Sequence, residues 1–77
     1  MTLEELAGYI REGREIEFRL GKRRYFHSHD GEKYSVCDDE TRNVIFEGSL
    51  EQELAFEFEK DISFAKAINC FCFDCIL

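Results

Sequence analysis

Three of the four cysteines, Cys70, Cys72 and Cys75, fall in the run NCFCFDCIL, where they alternate with Phe71 and Phe73. Thiols this close together suggest metal binding or thiol–disulfide chemistry. A structural zinc ion takes four thiolate or imidazole ligands at about 2.0–2.3 Å. Cys72 and Cys75 have C-x-x-C spacing, and Cys37 with His27 or His29 would complete a set. The surroundings argue against it. Zinc sites draw on two well-separated pairs held on tight turns, whereas here the flanks are Phe, Asp and Ile and the first pair is missing. A helix turns Cys70 away from Cys72 and Cys75; a regular strand turns Cys75 away from the other two. Free cysteine is also among the most buried residue types, so core or half-buried thiols are expected, with no metal and no cofactor. Were a metal bound, its ligands would come from Cys72, Cys75, Cys37 and His27. A redox role is disfavoured because a reactive C-x-x-C sits at a helix N-terminus, and this one follows the last helical pattern.

The run HSHD places His27 and His29 on one face of an extended segment, as metal ligands or acid–base groups can be. Asp30 and Gly31 follow and mark a turn, where polar residues are expected anyway. His27 is expected to border the core and hydrogen-bond nearby, and no nucleophile has a recognisable setting. GKRR is a basic turn, able to hold a phosphate or an acidic protein surface, or simply solvated. The aromatic residues form the last candidate group. Phe56, Phe73 and Phe26 are the three that the expected elements leave uncovered, and exposed Phe marks an interaction surface.

The elements that must position these residues follow from periodicity. Over residues 2–12, Leu3, Leu6, Ala7 and Ile10 make one helical stripe, with a Thr2–Glu5 capping box and Gly13 as the stop. From residue 14 the period changes to two. REIEFRL alternates Ile16, Phe18 and Leu20 with charges; RRYFHSH, EKYSVCD and NVIFEG follow, separated by Gly21, Asp30-Gly31 and the polar loop DDETRN. This predicts a four-stranded antiparallel meander. A two-residue turn at Asp30-Gly31 would pair His27 with Tyr34 and Tyr25 with Val36. Ile16, Phe18, Tyr25, His27, Tyr34, Val36, Val44 and Phe46 then share the covered face. SLEQELAFEFEK predicts a helix with a Ser49–Gln52 box and a Leu50, Leu54, Phe58 stripe. DISFAKAINCFCFDCIL predicts a further helix through Ile68, capped by Ser63; the tail beyond it fits either a helical stripe or a strand.

The run from EFRLGKRRYF through DGEKYSV to VIFEGSLEQEL resembles a group of small bacterial or phage-type proteins without assigned function. These share a hairpin with a glycine turn, a strand ending in Phe and a short Leu-rich helix. The resemblance covers half to two-thirds of the chain. It implies a fold and no activity, and no site residue follows from it.

Seventy-seven residues make a single domain with one small core, of α+β class: an N-terminal helix, the meander, and two short C-terminal helices packed on one sheet face. The net charge of -7 is uneven: beyond residue 24, Lys33, Arg42, Lys60 and Lys66 stand against twelve acids. An acidic surface disfavours direct binding to nucleic acid or anionic membrane and suits a basic partner. No signal peptide and no membrane span are legible, so a cytoplasmic setting with reduced thiols is expected. The expected function is a nonenzymatic protein-interaction module with an unknown protein partner, a second copy of the chain included. The first alternative is an acidic inhibitor or nucleic-acid mimic from a phage or mobile element. The second is a small zinc-binding protein.

Overall fold

A computed structural model describes all residues, 1–77. Helix α1 (Leu3–Arg11) starts where the sequence places it: the Thr2 hydroxyl accepts from the Glu5 N–H while the Glu5 carboxylate accepts from the Thr2 N–H. Gly13, at φ +81, turns the chain out of the helix. Four strands follow: β1 (Ile16–Leu20), β2 (Arg23–Asp30), β3 (Lys33–Asp38) and β4 (Val44–Gly48). After helices α2 (Leu50–Ala55) and α3 (Phe64–Ala67) and a 3₁₀ turn at Ile68–Cys70 comes a fifth strand, β5 (Phe71–Ile76). The sheet is antiparallel in order β4-β3-β2-β1-β5.

The architecture is the expected α+β class, but the sheet has five strands, not four. The tail pairs with the free side of β1 because Ile16, Phe18 and Leu20 are all buried. A strand that deep in the molecule needs partners for the backbone groups on both of its edges. The hairpin turns fall at Gly21-Lys22 and Gly31-Glu32, each with glycine at positive φ in the first central position, as a type II′ turn requires. The second turn is therefore one residue later than predicted. His27 lies opposite Val36 and Ile16, and Tyr25 lies opposite Asp38 and Phe18. The covered face is unchanged, because a shift of two residues preserves alternation. Val44 departs from it: β4 is bulged there, and Val44 is exposed on the far face while Ile45 and Phe46 pack inward.

Helix α2 is half the predicted length and ends at Phe56, whose ψ of 129 is extended. FEFE alternates with period two. An extended backbone sends Phe56 and Phe58 to the same side, where a helix would part them by about 200°. The core is a network of aromatic rings centred on Phe18, which lies within 6.0 Å of Tyr25, Phe58, Phe64, Phe71 and Phe73. Phe56 joins it through Phe46 and Phe58. Of the eight Phe residues, only Phe26 stays outside, on the far face of the sheet. The excess of Phe is thus core. No helix is long and apolar enough to cross a membrane.

Candidate functional site

The residues singled out in the sequence do not converge. His27 is buried on the covered face, whereas Cys37 lies on β3 and Cys72 and Cys75 on β5, facing the other side. Two strands separate β3 from β5, so about 14 Å of sheet lies between Cys37 and the other two thiols. No group of three or more His, Cys, Asp or Glu is placed to hold a metal ion. All four cysteines are free thiols; Cys70 and Cys72 are exposed, not core, and Cys37 and Cys75 are half-buried.

The tail is neither a helix nor a regular strand. Cys75 lies opposite Glu17, Phe73 opposite Phe18 and Cys72 opposite Arg19, so Asp74 is an extra residue bulged out of β5. The bulge resets the alternation. Phe71, Phe73 and Ile76 face the core, while Cys72 and Cys75 share the open face. Arg19 holds Asp74 through two hydrogen bonds, Nε–Oδ2 at 2.7 Å and Nη2–Oδ1 at 2.9 Å, and Nη2 also reaches Cys72 Sγ at 3.0 Å. These bonds hold the Asp74 carboxyl below its ordinary range.

The open face carries charges of both signs. One shallow cleft of about 290 Å³ is lined by Glu17, Arg19, Arg24, Asp39 and Asp74. The next, of about 490 Å³, is lined by Glu17, Phe26, Cys37, Asp39 and Arg42. Acids and bases are mixed in both clefts. Phe26, Phe56 and Phe73 form no common patch either. Phe26 is half-buried on the open face, and Phe73 packs on Phe18, Phe64 and Phe71 on the other.

Phe56 instead lines a groove of about 550 Å³ at the tip of the β1–β2 hairpin. Its apolar walls are Leu20, Tyr25, Ile45, Phe56 and Phe58, and Lys22, Arg23, Asp38 and Glu59 form its rim. Asp38 is buried and saturated: Oδ1 accepts from the Glu40 and Thr41 N–H groups and Oδ2 from Arg23 Nη1 at 3.1 Å. Arg23 nonetheless keeps 60% of its side chain in solvent, and Lys22 has no acidic partner. The Tyr25 hydroxyl makes no hydrogen bond within the protein, and burial raises its pKa.

One buried polar pair reaches beyond the candidate residues marked in the sequence. Glu53 of α2 is fully buried, and its Oε2 lies 2.7 Å from His27 Nδ1. The signal was present in the sequence: Glu53 falls at i+3 between Leu50 and Leu54, on the apolar stripe itself. Burial raises the Glu53 carboxyl above its ordinary value of 4.5, with the His27 hydrogen bond working the other way. No cleft reaches either residue. Compared with known protein families, with characterised proteins and with solved structures, the chain matches none of them.

Proposed function

We propose that this chain is a nonenzymatic protein-interaction module whose hairpin-tip groove takes an acidic segment of a partner protein carrying an apolar anchor. The observation that supports this reading is the groove itself. It is the one concavity that combines a half-apolar wall with cations not fully paired within the protein, Lys22 and Arg23, beside Asp38 and Glu59. Lys22 and Arg23 stand on its rim in a chain of net charge -7. An apolar side chain would pack against Phe56, Phe58 and Ile45, and flanking carboxylates would meet Lys22 and the free nitrogens of Arg23. The Tyr25 hydroxyl offers one directed hydrogen bond. A nonenzymatic role accords with the one buried acid–base pair lying away from every cleft. A cytoplasmic setting suits the exposed thiols Cys70 and Cys72, which persist unpaired where glutathione keeps them reduced.

Titration of the isotope-labelled protein with two synthetic peptides tests this. Both carry a central Phe, one flanked by glutamates and the other by lysines. The acidic peptide is expected to shift the amide signals of residues 20–25, 45 and 56–59, to weaken with added salt, and to lose affinity several-fold on Lys22→Glu. Equal response to both peptides, or shifts confined to the open sheet face, would overturn the assignment.

A further inference from the structure

His27 sits at the centre of the middle strand, and Glu53 reaches it from a helix of six residues. Their contact at 2.7 Å joins α2 to the sheet in a layer where His27 is 1% and Glu53 0% exposed. The outer atoms, His27 Nε2 and Glu53 Oε1, have no hydrogen-bond partner. Whatever charge the pair carries must be neutralised within the pair.

We propose that His27 and Glu53 form a proton-dependent latch for α2. With one proton on Nε2 and a second between Nδ1 and Oε2 the pair is neutral overall and α2 is docked. When the second proton leaves to solvent, the pair carries a net negative charge between apolar layers, and α2 lets go.

The surroundings supply no substitute charge. His27 faces Ile16 from β1 and Val36 from β3, and stacks on Tyr34 at 5.8 Å. Helix α1 contributes Leu6, Ala7 and Ile10, α3 contributes Phe64 behind the Ser63 cap, and β4 contributes Phe46 and Gly48. On this side the other titratable groups are Tyr34, the exposed His29, Tyr25, Tyr9 of α1 and the buried Asp38, which is bonded to Arg23 and to two backbone N–H groups; none of them bonds to the pair. A buried pair with a net charge is far costlier than a buried neutral one. Helix α2 is the element that yields, since six residues do not hold a helix without tertiary contacts.

The sign follows from the Glu53 carboxyl, which burial raises above 4.5. The folded state binds this proton more tightly than the unfolded state. Its stabilising contribution is complete below 4.5 and is lost as pH rises through the raised folded value. This inference does not depend on what the groove binds.

Amide hydrogen exchange between pH 5 and 8, corrected for intrinsic rates, tests it. Protection of residues 53–56 should fall about tenfold per pH unit above the titration of Glu53, while β2 and β3 stay protected. In Glu53→Gln the amide can donate to Nδ1 without titrating, so this dependence should vanish. Carbon-13 NMR of the Glu53 carboxyl in the native protein provides a check that needs no variant: its titration and the loss of α2 protection must share a midpoint. Parallel pH profiles for α2 and the strands, a dependence that survives Glu53→Gln, or separate midpoints would each overturn the latch.

Discussion

Glu53 and Asp74 are both acids paired with a base, and burial separates their roles. Glu53 and His27 are sealed from water, so removing either leaves the other without its only partner. Glu53→Ala or His27→Ala is expected to cost about 3–5 kcal/mol in urea unfolding, the usual loss when one member of a buried pair is removed. Asp74 and Arg19 lie 39% and 40% in solvent. Arg19→Ala is expected to leave the unfolding midpoint almost unmoved, because water replaces the lost bonds. The pairing of His27 with Glu53 could not be read from local pattern. Alternation places His27 at the core and helical spacing places Glu53 on the apolar stripe, but neither names the other as its partner. The capping residues were legible, since Thr2, Ser49 and Ser63 each bond a backbone N–H three residues away.

At the scale of elements, β5 shows what one residue can decide. Asp74 is the inserted residue of a bulge, and on either side of it the alternation matches the core. Deleting Asp74 should therefore preserve the fold, keeping Phe73 opposite Phe18 and Ile76 opposite Ile16. The same deletion straightens an edge strand that is otherwise Phe, Cys and Ile, and bulges on edge strands discourage pairing between molecules. Sedimentation velocity is expected to show a folded variant that self-associates more than the native chain. An unfolded variant would show instead that the Arg19–Asp74 contact is needed to seat β5. Two hairpins and α1 were legible because their signals lie within a few residues. The early end of α2 was not, because Leu50 and Leu54 fit a helix while the Phe56 and Phe58 that follow answer to the aromatic core.

For the whole molecule, the aromatic rings that suggested a sticky surface are largely its interior. The exposed large hydrophobic residues are Met1, Val44 and Leu77, with Val44 and Leu77 at opposite edges of the sheet. Together with the two edge bulges, this predicts a monomer of 9.1 kDa by sedimentation equilibrium at micromolar concentration; a stable dimer would mean that a strand edge is used after all. The sequence by itself determined the α+β class, the N-terminal helix and its caps, the two hairpins, and the side of the sheet that is covered. Each rests on periodicity or capping between near neighbours. Only the tertiary structure decided where the tail goes, which face Cys72 and Cys75 share, and that His27 meets Glu53. Those outcomes turn on contacts between residues 26 and 55 positions apart, whose free energy depends on both partners; periodicity can place each residue on a face but not say which residue it meets.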